Sequence, residues 1–268
     1  MQEFENKVVV ITGGSDGIGK SLVELFLRQG AKVATCARNT DKLYQLQQQN
    51  ANKPLLVYTA DIGREEDCKD FIIEVEKSFG TIDILINNAG ISMHSLFKEV
   101  ELSTLRKLMD TNFWGTVYCT KFSLKYILKN KGTIVAVSSI AGFRGLPGRS
   151  GYSASKFAVN GWIESLRTEL LKTGVNVLLI CPGFTSSNIR NAALNNLGIS
   201  QGESLMDEGK MMTSAECAVH ILKAISKRKR NLILTFIGKR AVFINKFFPS
   251  LADKLTYKFF FKNNELIK

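Results

Sequence analysis

The chain has 268 residues, of which 45% are hydrophobic and 22% charged, with 21 Gly and only 4 Pro. This composition excludes a disordered or collagen-like chain, and the length suits one large α/β domain or two smaller domains with a sizeable core. The five cysteines are scattered without a CxxC pair, and there are only two histidines. We therefore predict reduced core thiols and neither a disulfide framework nor a metal site.

The N-terminus and the charge distribution give expectations about localisation. The chain runs directly into a β-branched segment without the apolar stretch of a signal peptide, and no apolar run approaches about 18 residues. We expect a cytoplasmic protein that contacts, at most, the inner face of a membrane. The net charge of +12 is uneven, because residues 220–268 hold 12 Lys and Arg residues against two acidic residues.

Short β-branched segments alternate with helical patterns along most of the chain. The expected strands are Lys7–Thr12, Ala31–Cys36, Pro54–Thr59, Ile82–Ile86, Gly132–Ser138, Val175–Cys181 and Asn231–Thr235. The expected helices cover residues 17–29, 40–49, 64–79, 102–129, 153–173 and 214–227. This alternation predicts an α/β fold, a doubly wound parallel sheet of about seven strands in a single domain. Ligands of such sheets bind at the carboxyl ends of the strands.

A glycine-rich segment, residues 12–19, follows the first strand and precedes a helical pattern. Gly13, Gly17 and Gly19 permit a tight turn and a close approach of the backbone to a diphosphate, whose charge a helix N-terminus stabilises. A tight turn without any ligand would need the same glycines. The segment therefore suggests a nucleotide site without establishing one.

Six motifs in register resemble those of the short-chain dehydrogenase/reductase family. They are TGGSDGIG at 12–19, NNAG at 87–90, Asn112 in TNFWG, Ser139 in VSSIAG, YSASK at 152–156 and the pair Pro182 and Gly183. The resemblance implies a Rossmann-like domain that binds a nicotinamide dinucleotide and transfers a hydride to or from it. We expect residues 1–238 to form this catalytic domain and residues 239–268 to form a basic, helical, aromatic extension.

Tyr152 and Lys156 are the expected centre of catalysis. Residues four apart share one face of a helix, so the ammonium of Lys156 should lie near the phenol of Tyr152. A nearby positive charge stabilises phenolate, and we expect it to lower the pKa of Tyr152 from about 10 toward the working pH. Tyr152 is thus the candidate general acid for carbonyl reduction.

Two more side chains complete the catalytic set. Ser139, thirteen residues before Tyr152, is expected to hydrogen-bond the substrate carbonyl as charge develops on its oxygen. Ser138 is the rival donor, which the spacing disfavours. The resemblance implies that Asn112 holds a water that links Lys156 to solvent, and that Lys156 also binds the nicotinamide ribose.

The resemblance also implies a set of cofactor-binding positions. They are Gly13, Ser15, Asp16, Gly17, Ile18, Gly19, Arg38, Asp61, Ile62, Asn88, Ala89, Gly90, Tyr152, Lys156, Pro182, Gly183, Thr185 and Ser187. Asp61 matches the family's adenine-edge residue, although capping of the next helix explains an aspartate there equally well. Ser187 stands where the family has a nicotinamide-contacting Thr and keeps a hydroxyl group.

The choice between NAD and NADP depends on the residues after the second strand. NAD-dependent proteins usually carry a carboxylate there, whereas this chain has Ala37 and Arg38. A guanidinium binds a 2′-phosphate with two hydrogen bonds, so we predict NADP(H). Asp16 argues against this prediction, because many NADP-dependent relatives carry a base at that position of the turn.

The segment 184–213 and the C-terminal extension each allow two interpretations. We expect residues 184–213 to form a substrate lid, with Met206, Met211 and Met212 either lining an adaptable apolar pocket or simply packing. Residues 236–261 place seven Phe and one Tyr among cations, which suits an interfacial helix on an anionic membrane and resembles the extension of membrane-associated carbonyl reductases. A helix pair packed on its own domain or in an oligomer interface is the alternative.

These expectations combine into one functional hypothesis. We predict an NADP(H)-dependent oxidoreductase that reduces a lipophilic ketone or aldehyde, of the steroid, retinoid or sphingoid-base type. The alternatives are a 3-oxoacyl thioester reductase, whose acidic carrier protein would suit a basic surface, and a nucleotide-sensing protein without turnover. We expect no nucleic-acid partner, since no reading module accompanies the charge. The resemblance further implies a homodimer or homotetramer.

Overall fold

The computed structural model describes residues 3–202 and 211–267. Its central sheet has seven strands: β1 (Val8–Thr12), β2 (Lys32–Ala37), β3 (Leu55–Thr59), β4 (Ile84–Asn87), β5 (Thr133–Val137), β6 (Asn176–Cys181) and β7 (Asn231–Ile233). Their spatial order is β3-β2-β1-β4-β5-β6-β7, and all neighbours are parallel. The order reverses between β1 and β4, which is where such sheets bind their ligands.

Helices cover both faces of the sheet. They are α1 (Gly17–Arg28), α2 (Thr40–Gln48), α3 (Glu65–Phe79), α4 (Leu102–Met109), α5 (Gly115–Asn130), α6 (Ser150–Glu169), α7 (Ser214–Ser226), α8 (Phe236–Phe247) and α9 (Pro249–Phe260). A π-helical turn, Asp110–Trp114, joins α4 to α5, and a 3₁₀ turn, Ile140–Gly142, follows β5. A short hairpin, β8 (Phe261–Lys262) and β9 (Glu265–Leu266), follows α9.

The two cores arise from the alternation of side chains along each strand. All five residues of β1 are buried. Val10 packs with Phe71 of α3 on one face of the sheet, whereas Ile11 packs with Phe26 of α1 on the other. Because helices cover both faces, the strands are almost continuously apolar, as parallel strands of such folds usually are.

The predicted fold class is confirmed, and the strands begin and end within two residues of their expected positions. The expected helix over residues 102–129 is wrong in one respect, because the π-helical turn interrupts it. At this turn the side chain of Asn112 bonds the backbone of Ile91, and a Cβ on Gly115 would come within 2.7 Å of Ile62. These are tertiary contacts, which the helical periodicity of the sequence does not reveal.

The C-terminal extension forms two helices that pack across the carboxyl end of the sheet. Arg144 donates hydrogen bonds to Asp253 at 2.7 Å and to Asn245 at 3.0 Å, and Ala252 and Phe260 are buried. One face of the extension is therefore packed against the chain's own domain. Within residues 3–202 and 211–267, no helix is long and apolar enough to span a membrane.

Candidate active site

A cavity of about 700 Å³ lies at the carboxyl ends of the strands. It brings together every sequence-predicted site residue except Asn112. Those that line it are Gly13, Ser15, Asp16, Gly17, Ile18, Gly19, Arg38, Asp61, Ile62, Asn88, Ala89, Gly90, Ser139, Tyr152, Lys156, Pro182, Gly183, Thr185 and Ser187. One continuous space thus connects the glycine-rich turn with the expected catalytic side chains.

The glycine-rich turn leaves room that side chains would fill. Gly13 has φ +73° and Gly17 has φ +53°, in the left-handed region that favours glycine. A Cβ on Gly13 would lie 2.8 Å from the Cα of Ala89, and a Cβ on Gly19 would collide with the carbonyl group of Gly13. Asp16 caps α1 by accepting a hydrogen bond from the Gly17 amide at 2.7 Å. The N-terminus of α1 therefore opens toward the cavity, where it favours an anion.

Thr12 joins the two strands at which the sheet order reverses. Its buried hydroxyl accepts hydrogen bonds from the amides of Asn88 and Ala89, both at 3.0 Å. The side chain of Asn88 donates in return to the Thr12 carbonyl at 3.0 Å. Sequence reasoning placed Thr12 in the first motif but gave it no role. The structure shows that it holds the second motif against the first.

Lys156 is a buried cation at the end of β5. The residue is 3% exposed, and its Nζ donates to the carbonyl oxygen of Val137 at 2.9 Å. A Cβ on Gly90 would lie 3.4 Å from this Nζ, so the glycine keeps space open beside the ammonium group. Burial lowers the pKa of Lys156 to about 8, because a charged amine is poorly solvated there.

The structure corrects the expected origin of the acidity of Tyr152. The Nζ of Lys156 lies 5.8 Å from the centroid of the tyrosine ring and is directed at Val137. The pKa of Tyr152 is raised above its ordinary value by burial and not lowered as expected, although the hydroxyl of Ser139 and the charges of Arg149 and Arg190 oppose the increase. Sequence spacing identified the nearby lysine but not Arg149, which precedes Tyr152 by three residues.

The structure distinguishes between the two serines. Ser138 is 4% exposed, and its hydroxyl already donates a hydrogen bond to the side-chain oxygen of Asn160 at 2.6 Å. Ser139 caps the 3₁₀ turn by accepting from the Ala141 amide at 3.1 Å, and it remains partly exposed at the cavity wall. Its hydroxyl proton is therefore free of that bond. Ser139 is the better placed donor for a substrate oxygen.

Asn112 does not line the cavity but lies in the wall behind Gly90. The residue is 0% exposed. Its amide accepts from the Ile91 nitrogen at 2.8 Å and donates to the Ile91 oxygen and the Ser155 hydroxyl, both at 2.9 Å. These bonds fix the side chain, and the water that the resemblance implies between Asn112, Lys156 and solvent stays a prediction. Asn112 positions the chain beside Gly90.

Two cations, Arg38 and Lys42, lie near the position that is expected to bind the cofactor's ribose. Arg38 is exposed and lines the cavity, whereas Lys42 pairs with the carboxylate of Asp16. Partial burial tends to raise the pKa of Asp16. Hydrogen bonds from Lys42 and Gly17 and the charge of Lys42 together lower it by more, so the pKa of Asp16 is below its ordinary value. Lys42 thus compensates the charge that argued against NADP, a pairing that sequence reasoning missed.

Asp61 is not a helix cap. Its carboxylate accepts from the Gly63 amide at 3.0 Å, while Arg64 is the N-cap residue of α3 and makes no side-chain cap bond. The alternative that explained Asp61 by capping is therefore wrong. The residue forms a turn at the cavity wall instead.

The expected lid is described in part. Met206 lies outside the described residues, and Met212 packs against the core on the α1 face of the sheet instead of lining the cavity. Met211 does not line the cavity either. Of this segment, Phe184, Thr185, Ser187, Asn188, Ile189, Arg190 and Ala192 border the space. A Cβ on Gly183 would collide with Thr235, so this glycine permits close packing of α8 on the site.

The arrangement fits a nicotinamide dinucleotide. The glycine cradle at Gly13 and Gly19, the helix N-terminus and the space beside Gly90 are continuous, and side chains at these glycines would fill them. Within the described part of the chain, no cluster of three or more metal-ligating side chains occurs. A doubly wound sheet with a glycine-rich turn at its switch point defines the class of Rossmann-like proteins.

Sequence comparison identifies the family. The protein-family model described as short chain dehydrogenase matches residues 7–197, so the chain belongs to the short-chain dehydrogenase/reductase family. The protein is 33% identical to dehydrogenase/reductase SDR family protein 7-like of Dictyostelium discoideum, over 96% of this chain and 82% of that protein. It is 34% identical to mouse dehydrogenase/reductase SDR family member 7B, with coverage of 94% and 80%. For 11-beta-hydroxysteroid dehydrogenase-like 4A of Arabidopsis thaliana the identity is also 34%, with coverage of 85% and 76%.

Solved structures share the fold at lower identity. A short-chain dehydrogenase/reductase from Burkholderia phymatum, in complex with NAD, superposes with a TM-score of 0.82 at 22% identity, over 94% of this chain and 96% of the other. The alcohol dehydrogenase of Thermococcus sibiricus, complexed with 5-hydroxy-NADP, gives a TM-score of 0.75 at 23% identity, with coverage of 86% and 96%. The predicted family and fold are confirmed.

We expect Lys156→Met to raise the melting temperature at pH 7 although it removes a functional group. The pKa of the lysine is 10.5 unfolded and about 8 folded, so between these values the unfolded state binds more protons and stability rises with pH. Below about pH 8 the buried charge costs on the order of 3 kcal/mol, and the lost hydrogen bond to Val137 offsets about 1 kcal/mol of the gain.

Thermal unfolding between pH 6 and 11 measures this effect, with the exposed Lys172→Met as the matched control. The stability advantage of Lys156→Met should shrink as the pH rises from about 8 to 10.5. A variant that is less stable than the wild type at pH 7, or whose advantage is independent of pH, would show that the charge is compensated in the folded state.

Proposed function

We propose that the protein is an NADP(H)-dependent reductase of lipophilic ketones or aldehydes. The observation that supports the substrate class is an apolar wall, which the C-terminal helices place across the cavity from the candidate catalytic side chains at the strand ends. Its members are Ile237, Ala241, Ile244, Ala252, Leu255, Phe259 and Phe260. Phe259 stacks on Phe184 with ring centroids 5.9 Å apart, which ties α9 to the segment after β6. Such a wall would bury the hydrocarbon part of a substrate.

The proposed mechanism assigns each group one task. When bound, the nicotinamide supplies the hydride that is added to the carbonyl carbon. Ser139 donates a hydrogen bond to the carbonyl oxygen as it gains charge, and Tyr152 transfers its phenolic proton to that oxygen. The resulting phenolate is stabilised by cationic groups and is reprotonated from solvent. Lys156 supplies one cation and binds the cofactor ribose, while Asn112 positions the backbone at Ile91.

The NADP preference is part of the proposal. Arg38 provides a guanidinium for a 2′-phosphate, and Lys42 pairs with Asp16 so that this carboxylate repels the phosphate less. No acidic residue of the cavity lining belongs to β2 or to the residues directly after it. Ribose-binding carboxylates of NAD-dependent proteins stand there.

The thioester-reductase alternative finds less support in the site. A carrier protein delivers its acyl group through a narrow arm, whereas this cavity has a broad apolar wall of helices α8 and α9. Similarity to proteins named 11-beta-hydroxysteroid dehydrogenase-like also favours a bulky apolar substrate. A nucleotide sensor without turnover would not require Ser139, Tyr152 and Lys156 to line one cavity.

The outer face of the extension is proposed to contact an anionic membrane. Phe243, Phe247 and Phe248 are each more than half exposed, and the same two helices carry the exposed residues Lys246 and Lys254. Aromatic side chains flanked by lysines suit the boundary between headgroups and acyl chains. Assembly into a homodimer or homotetramer, which the family resemblance implies, stays a prediction.

Tyr152→Phe tests the reductase proposal. Loss of the proton donor should lower kcat by several orders of magnitude while the Kd for NADPH changes little, because the phenyl ring preserves the packing. NADPH oxidation with ketosteroids, retinal and long-chain ketones measures kcat, and fluorescence titration measures Kd. A variant that keeps more than about a tenth of wild-type turnover would reject Tyr152 as the acid.

Arg38→Asp tests the cofactor preference. We expect NADPH binding to weaken by about 2 kcal/mol or more, because a charge-assisted pair is replaced by repulsion, whereas NADH binding should change little. Lys172→Asp makes the same change in net charge away from the cavity and serves as the control. Equal affinity of the wild type for NADH and NADPH would refute the proposal that Arg38 binds the 2′-phosphate.

Vesicle co-sedimentation tests the membrane contact. Because α8 and α9 close the cavity, deletion of the extension would disturb the site, and point variants are the sharper tool. Phe243→Ser combined with Phe247→Ser should reduce binding to anionic vesicles, and raised salt should reduce it further, at about 1 kcal/mol for each well-placed cation.

The control for this experiment removes two exposed side chains elsewhere, Tyr44→Ser combined with Leu171→Ser, which are 61% and 75% exposed in the wild type. The control should sediment like the wild type. Failure of the intact protein to bind anionic vesicles, or equal loss in the control, would assign the phenylalanines to packing or to a subunit interface.

A further inference from the structure

Asn160 is a buried polar residue of α6 that the proposed mechanism does not use. It follows Lys156 by four residues and Tyr152 by eight, so the three side chains share one face of the helix. Asn160 is 7% exposed, and both the oxygen and the nitrogen of its side-chain amide are hydrogen-bonded. Replacing a buried hydrogen-bonded pair by apolar groups is often neutral for stability, so stability alone does not explain an amide at this position.

The two hydrogen bonds of Asn160 lie on either side of Ser139 along the chain. The side-chain oxygen of Asn160 accepts from the hydroxyl of Ser138 at 2.6 Å, and its nitrogen donates to the carbonyl oxygen of Gly142 at 2.8 Å. Ser138 directly precedes Ser139, and Gly142 is the last residue of the 3₁₀ turn that Ser139 caps. One side chain of α6 thus holds both ends of the segment that carries the expected donor to the substrate oxygen.

The packing around Gly142 leaves this arrangement little freedom. A Cβ on Gly142 would lie 2.8 Å from the Nδ2 of Asn160, 2.8 Å from the Oγ of Ser138 and 2.9 Å from the carbonyl oxygen of Lys156. Helix α6 and the turn therefore approach each other as closely as their backbones allow. The hydroxyl of Ser138 also lies 3.4 Å from the same Lys156 oxygen, which is the acceptor to which it would turn without Asn160.

The place of Ser139 relative to α6 matters because Tyr152 stands on that helix. In the proposed reaction Ser139 and Tyr152 must reach the same carbonyl oxygen. A donor that stabilises such an oxygen acts over a narrow range of distance, about 2.7–3.1 Å. A misplacement of about 1 Å can lower a rate about a hundredfold, so the bonds of Asn160 bear on the rate of the reaction.

We propose that Asn160 is a positioning residue, which through Ser138 and Gly142 sets the place of Ser139 relative to Tyr152. This inference rests on the proposed reductase function, in which Ser139 donates to the carbonyl oxygen. It also gives Ser138 a role, because the hydroxyl that the sequence presents as a rival donor links the turn to the helix.

The variant Asn160→Leu removes both hydrogen bonds and keeps a side chain of similar length. The kcat for ketone reduction should fall by about tenfold to a hundredfold, because Ser139 is no longer held at its place. The Kd for NADPH should change little, since Lys156 is bonded to Val137 and not to Asn160. Ser138→Ala removes one of the two bonds with a smaller change in volume and should lower kcat less. Wild-type kcat in both variants would overturn the inference.

Asn130 offers a matched control at the other end of the sheet. Its side-chain nitrogen donates to the hydroxyl of Thr81 at 2.7 Å and to the carbonyl oxygen of Ile82 at 3.0 Å, just before β4. Asn130→Leu therefore makes the same substitution and also removes two side-chain hydrogen bonds. It should lower the melting temperature and leave kcat as in the wild type. An equal fall of kcat in this control would overturn the inference, because kcat would then follow general stability.

The Ser139→Ala variant shows whether Asn160 acts through this serine. Once the hydroxyl group is removed its position no longer matters, so adding Asn160→Leu to Ser139→Ala should lower kcat little further. Chromatographic detection of the alcohol product measures the low rates of these variants. A purely structural role of Asn160 would lower kcat by the same factor with or without the hydroxyl of Ser139, and that result would overturn the inference.

Hydrogen exchange tests the positioning without turnover. The Ala141 amide donates to the Ser139 hydroxyl, and the Gly142 amide donates to the Ser139 carbonyl oxygen. In Asn160→Leu both amides should exchange about tenfold or more faster than in the wild type, because the turn opens locally more often. The amides of β5 should change much less, and Asn130→Leu should leave the turn as it is. Unchanged exchange at the turn in Asn160→Leu would overturn the inference whatever the rates show.

The outcomes separate this inference from the function on which it rests. If the wild type reduces no ketone, the reductase proposal fails and the inference fails with it. If ketones are reduced and Asn160→Leu keeps the wild-type kcat, only the inference fails. A fall in kcat that disappears in the Ser139→Ala background, together with faster exchange at the turn, supports both.

Discussion

The buried ammonium group of Lys156 is the constraint on which the site depends. Its solvation is replaced by the carbonyl oxygen of Val137, and burial moves its pKa to about 8. A charge in this position is stable only while β5 and α6 keep their register, because a shift of either would leave the ammonium or the carbonyl without a partner. Gly90 and Asn112 then arrange the opposite wall around it. If Lys156→Met raises the stability as predicted, the site is built around a group that weakens the fold at neutral pH.

Sequence reasoning predicted the framework well because the framework is local. The alternation of apolar strands with helical patterns follows directly from burial on both faces of a parallel sheet, and the motif residues come at strand ends as the topology requires. The interruption at Asp110–Trp114 was missed because the bonds found there, between Asn112 and Ile91, join residues 21 positions apart. The pairing of Lys42 with Asp16 was missed for the same reason, with a separation of 26.

The source of charge around Tyr152 shows how spacing alone misleads. A separation of four residues brings Lys156 to the same helix face, but the nearest hydrogen-bond acceptor then decides where its ammonium points. In this protein that acceptor is Val137, and Arg149 contributes charge to the phenol from the helix N-terminus. The sequence does show Arg149 three positions before Tyr152. Its influence on the phenol became apparent only from the structure, in which its guanidinium group lies over the ring of Phe260.

The C-terminal extension connects these features. Its inner face supplies the apolar wall of the cavity and places the ring of Phe260 5.5 Å from the guanidinium group of Arg149. Its outer face exposes phenylalanines between lysines. If the proposed membrane contact holds, a lipophilic substrate would reach the cavity from the acyl layer that the outer face contacts. Its hydrocarbon part would then pass from the acyl layer to the apolar wall of α8 and α9 with little exposure to water, so that binding would not have to overcome the low solubility of such a substrate.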